Sequence, residues 1–250
     1  MPHTSLQGSA ADAMAKLEIA ASSLTEQFGA PNLLMENRRA RYRYNKTSPE
    51  LLRTIKAVRV VSALNACAAL LAERMVVEAG VVLRTIDDFL TEMNFVAPDE
   101  QGRLGPKQGK FVEDFFAEDL PEPEEMWEAQ KRPGRVPKQK MQSAEARWLG
   151  QVTDDPHTVN VVTRNVSDVW SRYVHGSYMS SMELYADEKF HMCGIEADER
   201  LPGYSDQLAI YIHRSLNVFA RLACDLGLID LMKDLIHTRE VFEASDAYPS

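Results

Sequence analysis

The sequence predicts an all-α helical bundle that carries one irregular, proline- and glycine-rich insertion. Three observations lead there. Apolar residues recur at steps of three and four in long proline-free runs, the spacing that places them on one face of a helix. No strand alternation, Asn-Gly hairpin signal or internal repeat competes with that pattern. Between residues 97 and 157 the periodicity lapses, and Pro98, Gly102, Gly105, Pro106 and Gly109 crowd together, followed by Pro121, Pro123, Pro133 and Pro137. The expected organisation is a single all-α domain over 1–250, with 97–157 as an irregular insertion or cap within it.

Taken in order, residues 1–9 read as a tail. Ala10, Met14, Leu17, Ala21, Leu24 and Phe28 then form a helical stripe closed by Gly29 and Pro31. The basic run Asn37 to Lys46 has little periodicity. Ser48, Pro49 and Glu50 signal a helix start, a capping hydroxyl followed by a proline whose missing N–H costs nothing there. From that point the helical pattern reaches about Val96, with breaks expected near Asn65 or Gly80. Its centre, Leu64 to Met93, organises the chain. Leu64, Ala68, Leu71, Met75, Ala79, Val82, Ile86, Phe89 and Met93 form one stripe.

Inside the insertion, Phe111 to Phe116 predicts a short helix, the acidic stretch around Trp127 another, and Gln139 to Gly150 a third with Trp148 on its apolar side. Order returns from His157 to about Asp187, where Val162, Val166, Val169, Tyr173, Ser177, Ser180 and Leu184 share a stripe. Ser205 is a plausible cap for the next helix. Leu208, Ile212, Ser215, Phe219, Leu222, Leu226 and Ile229 line that helix, with a break at Gly227. A last helix is expected from Asp230 to Glu243.

A formal charge of −9 and a pI near 5.2 exclude a bulk attraction to nucleic acid or to an anionic membrane. The charge is uneven, however. Between Met35 and Val60, Arg38, Arg39, Arg41, Arg43, Lys46, Arg53, Lys56 and Arg59 face only Glu36 and Glu50, and Lys131 to Arg147 is a second basic stretch. The three cysteines lack metal-type spacing. Cys67 and Cys224 fall within apolar helical patterns as small core residues, which fits a reducing compartment. Without a signal peptide or an apolar run of 18 residues, a cytoplasmic protein with no membrane partner is expected. No P-loop or glycine-rich dinucleotide motif points to a cofactor.

Two helical stretches carry groups with chemical potential. Asp87 lies in the apolar row of Val76, Gly80, Leu83 and Leu90, and a buried carboxylate requires a cation or several donors. Arg84 is three residues before it and one turn before Asp88. On the later helix Arg164, Asp168, Arg172 and His175 follow steps of four, four and three, forming one polar stripe. Imidazole can move a proton near neutral pH and arginine can clamp phosphate. A structural ion pair and a hydrogen-bonded helix residue are the plain alternatives. Glu188 with His191, and Asp234 with His237, offer the spacing of a bundle metal site, although the supporting glutamates are not evident.

At Ala79, Leu83, Arg84, Thr85 and Asp88, and again at Tyr173-Val174-His175-Gly176-Ser177, the chain resembles a bacterial family of unknown function with a HEPN-like helical bundle. Arg84 and Asp88 match that family's arginine and acidic positions, and His175 matches its histidine. Many HEPN domains look like metal-independent ribonucleases, often dimeric, that use an arginine and a histidine four to six residues apart. Here Arg172 precedes His175 by two intervening residues and Arg164 by ten. The resemblance implies a homodimer that binds RNA or nucleotide without cofactor or metal, and that cleaves RNA if His175 serves as acid and base with Arg172, Arg164 or Arg84 opposite the phosphorane charge. Arg38, Arg39, Arg41, Arg43 and Lys46 would guide the nucleic-acid backbone. The competing readings are a non-enzymatic interaction or dimerisation module and a helical-bundle metalloprotein.

Overall fold

The structure is a computed structural model that describes residues 8–36, 39–99, 101–117, 136–138, 140–143, 156–195 and 198–249. Its helices are α1 (Ser9–Glu26), α2 (Pro49–Ala72), α3 (Val76–Phe95), α4 (Pro106–Phe116), α5 (Pro156–Val174), α6 (Tyr178–Met182), α7 (Leu201–Asp225) and α8 (Ile229–Glu243). Among the described residues the only sheets are two short antiparallel hairpins, β1 (Asn32–Glu36) with β2 (Arg39–Arg43), and β3 (Tyr185–Ala186) with β4 (Lys189–Phe190). The protein is an all-α helical bundle.

Ser48 starts α2 as its sequence requires: the hydroxyl accepts a hydrogen bond from the Leu51 N–H at 3.1 Å, with Pro49 in the first turn. The long central span is two helices. It breaks at Glu73–Met75, away from both Asn65 and Gly80, where Arg74 takes a left-handed φ of 58°. No glycine or proline marks that turn, so the helical pattern ran through it unsignalled. Beyond it α3 folds back along α2, bringing Glu92 near its end to Lys56 near the start of α2.

The main core gathers Met14, Leu17 and Leu24 of α1, Val60 and Leu64 of α2, Leu83, Ile86 and Leu90 of α3, Leu208, Ile212, Leu216 and Phe219 of α7, and Leu235 and Phe242 of α8. α2 is long and apolar enough to cross a membrane by length and composition, and it lies packed against α1, α3 and α7. A second, smaller cluster joins Leu52, Phe95 and Val96 to Val112 of α4 and Met141, so this part of the 97–157 region is seated on the bundle. The expected helix around Trp127, and Trp148, lie outside the described residues.

α5 packs on α3 at Gly80. A Cβ there would stand 2.9 Å from two ring carbons of Tyr173, so the glycine is what lets the helices approach. The helix expected to reach Asp187 stops at Val174. Gly176, at φ 56°, turns the chain, and the Ser177 hydroxyl caps α6 by accepting from the Ser180 N–H at 3.3 Å. Ser205 is no cap: α7 begins at Leu201, and the Ser205 hydroxyl donates back to the Leu201 carbonyl at 3.0 Å. Cys67 is buried, and burial pushes its thiol up to about 12. Cys224, expected inside, is exposed, because its neighbours Leu222 and Ala223 take the core face of α7.

Two glycines in helices should respond oppositely. Gly80→Val drives a branched side chain into a ring whose hydroxyl is already tied down, and should cost about 1–3 kcal/mol. Gly109→Ala in α4 meets open space at an ordinary helical position, and should stabilise by about 0.5–1 kcal/mol. Thermal melts of the two variants read both signs.

Candidate functional site

Asp87 is 1% exposed, and its carboxylate is met by cations from three parts of the chain. Arg214 of α7 donates to Oδ1 at 3.1 Å. Lys138 approaches Oδ2 at 3.4 Å, and Arg84, one turn earlier on α3, stands 3.7 Å from the same oxygen. Lys138 also pairs with Asp88, which is 3.5 Å from the Arg84 Nε. The same Nη1 of Arg84 that approaches Asp87 donates to the Ser167 carbonyl of α5 at 3.1 Å and to the Ser167 hydroxyl. So α3, α5, α7 and the 136–143 segment meet on one buried charge.

Beside it lie the Tyr211 hydroxyl and the Trp170 indole, close enough for Tyr211 to interact with both Trp170 and Asp87. The buried Tyr211 hydroxyl and the Trp170 indole N–H have no hydrogen-bond partner of good geometry among the described residues. Burial, and then the charge of Asp87, push the Tyr211 phenol well above its ordinary range. It stays protonated at neutral pH. A second network ties α5 to the start of α7. The Tyr173 hydroxyl donates to Glu183 at 2.9 Å, the Tyr204 hydroxyl donates to that of Tyr173 at 2.6 Å, and Arg200 donates to Glu183 at 2.8 Å. Burial foremost, then the neighbouring hydroxyl and carboxylate, hold the Tyr204 phenol far above its usual range. These phenols are ties between elements, with no proton to give near pH 7.

His175 lies just beyond α5, exposed; its backbone N–H donates to the Ser171 carbonyl at 3.1 Å, and its imidazole makes no hydrogen bond or ion pair among the described residues. Arg164, Asp168 and Arg172 are exposed on the same helix. Ser167, to which Arg84 is bound, is eight residues before His175, roughly 12 Å along an α-helix. The Arg84–Asp88 pair therefore engages the middle of α5 and His175 its end. Large apolar residues stand exposed around His175, namely Val169, Val174, Tyr178 and Met179.

The basic residues after Met35 form a feature that the sequence pattern did not reveal. They belong to a two-stranded ribbon in which Asn32 pairs with Arg43, Leu34 with Arg41 and Glu36 with Arg39. Arg39, Arg41 and Arg43 thus occupy alternate register positions of β2. Leu33, Met35 and Tyr42 take the intervening positions and are exposed. Lys46 follows, exposed, while Arg38 lies outside the described residues. At the root of the ribbon the Arg43 guanidinium donates to the Phe116 carbonyl at the end of α4, at 3.1 Å.

Beside that root lies a cleft of about 350 Å³ between α3, α4 and the 136–143 segment. Phe111, Phe115 and Met141 supply apolar walls, and Lys56, Glu92, Asp88 and Lys138 supply the polar ones. Lys56 pairs with Glu92, and its ammonium sits 5.0 Å from the Phe89 ring centre and 5.1 Å from that of Phe115. The spacing that suggested a bundle metal site has a different setting. Glu188 is in the turn and His191 just past the end of the β3–β4 hairpin, and among the described residues no group of three or more His, Cys, Asp or Glu side chains is gathered for a metal. No family model matches the chain, and no curated protein or solved structure matches it.

Removing the charge of Asp87 should leave Arg84, Lys138 and Arg214 facing one another in a partly buried site. Asp87→Asn should cost about 3–5 kcal/mol, the scale for breaking a buried ion pair. Asp88→Asn, at a more open position, should cost about 1 kcal/mol or less. Urea unfolding midpoints distinguish the two.

Proposed function

We propose that this chain is a cytoplasmic, HEPN-like helical protein that binds nucleic acid through the ribbon of β1 and β2. One observation carries the reading: three arginines at alternate positions of one strand of a two-stranded ribbon, in a protein of net charge −9. A polyanion is attracted to such a local run of cations although the chain as a whole is acidic. The resemblance at Arg84, Asp88 and His175 supports the same class of ligand.

A second reading is favoured by the outer face of α5 and α6. Val169, Val174, Tyr178 and Met179 are exposed around His175, and large apolar side chains in one place suit an interface. We take this as the face of a homodimer. A two-fold arrangement there would set His175 and Arg172 of two copies near each other, where imidazole could act as acid and base on RNA and guanidinium could offset phosphorane charge.

Converting Arg39, Arg41 and Arg43 together to alanine should abolish most RNA binding at low salt. The plot of log affinity against log salt should become shallower by about 2 units, the share of three phosphate contacts to a single strand. Fluorescence anisotropy across a salt series gives both, and an unchanged slope rejects the ribbon as the binding face. Tyr178→Lys with Met179→Lys should convert a dimer to a monomer in sedimentation velocity. Any RNA cleavage should vanish in His175→Ala while RNA binding persists.

A further inference from the structure

The cleft at the foot of the ribbon has a composition that phosphate does not explain. Its polar lining sets Lys56 and Lys138 against Asp88, Glu92 and Asp114, and each of these carboxylates is paired with a lysine, so no excess positive charge is left to hold an anion inside. Beside Thr91, its remaining walls are apolar, the rings of Phe111 and Phe115, Val136 and the thioether of Met141. The two ion pairs, Lys56 with Glu92 and Lys138 with Asp88, each present a donor and an acceptor side by side. An uncharged planar heterocycle with donors and acceptors along its edge is complementary to such a lining.

The position of the cleft narrows the ligand further. Phe115 is one residue before Phe116, whose carbonyl receives the Arg43 guanidinium. The end of β2 and the helix that carries the aromatic wall are therefore joined by the Arg43–Phe116 hydrogen bond. From this juxtaposition we infer that the cleft receives one unstacked nucleobase of a single strand whose phosphates lie along β2. The inference rests on the nucleic-acid reading of the ribbon. It adds what that reading lacks, a reason to prefer single strands over duplex: a paired and stacked base cannot enter, whereas a free one gains an aromatic wall and an edge partner. Phosphates stay outside, where the arginines are.

The test uses the full chain, a labelled twelve-nucleotide RNA carrying one 2-aminopurine, and the same RNA in a duplex. The single strand should bind at least about tenfold tighter than the duplex, with a change in 2-aminopurine emission, as expected for one base on an aromatic wall. Met141→Trp, which fills the cleft, should bring the single strand to the duplex affinity and leave the duplex unchanged. Should Met141→Trp fail to fold by circular dichroism, Val136→Trp fills the cleft from its other wall. Equal binding of both RNAs that is indifferent to the tryptophan but lost with the β2 arginines overturns the cleft and keeps the ribbon. Where neither RNA binds, the ribbon reading falls. The cleft is then decided by titrating adenosine, guanosine, cytidine and uridine: millimolar binding lost on tryptophan substitution sustains a base site, and no binding rejects it.

Discussion

Placing the Asp87 carboxylate inside the bundle imposes a demand that the helices around it must meet together. An ionised carboxyl removed from water costs several kcal/mol unless cations and donors surround it. Arg84 supplies one from its own helix, Arg214 one from α7, and Lys138 one from within the 97–157 insertion. The last two fix relations between elements that apolar contacts alone would leave free to slide. Arg84 then passes the constraint outward to Ser167, so α5 is registered on α3 by a polar contact as well as by the fit of Tyr173 against Gly80. A charge pair of this kind contributes less to net stability than to selecting one arrangement among similar packings.

How much of this could be read from the chain follows the range of each interaction. Local signals were legible. The Ser48-Pro49-Glu50 start, the stripes of α1, α2, α3 and α7, and the break at Gly227 are written within a few residues and appear where expected. The need of Asp87 for a cation was legible too, because a carboxylate in an apolar row signals it. Arg84 was legible beside it, three residues back on the same helix. The other partners were not, since Lys138 and Arg214 lie 51 and 127 residues away and nothing in their own surroundings marks them. The turn at Arg74 was missed because a left-handed residue other than glycine leaves no trace. The ribbon was missed because Leu33, Leu34 and Met35 run on without alternation, although Arg39, Arg41 and Arg43 do alternate.

The surface divides along similar lines. The exposed side of α5 mixes apolar residues with Arg164, Asp168, Arg172 and His175, while the ribbon sets Leu33, Met35 and Tyr42 at register positions that alternate with those of its arginines. The first composition suits a protein partner, whose contacts need both kinds of group close together. The second suits an extended polyanion. Two ligands of different chemistry can thus be accommodated without sharing residues, and the Tyr173–Glu183–Arg200 network that anchors the end of α5 links neither face to the other.

A two-stranded ribbon also has two outer margins, and such margins recruit other strands. Leu33, Met35 and Tyr42 would make that recruitment adhesive, since they are large, apolar and exposed. The arginines of β2 oppose it, because a second ribbon laid alongside would bring like charges together without counterions between them. They therefore act as gatekeepers against fibrillar stacking. Substitution could not discard them freely, for the strands would first have to be shortened or covered.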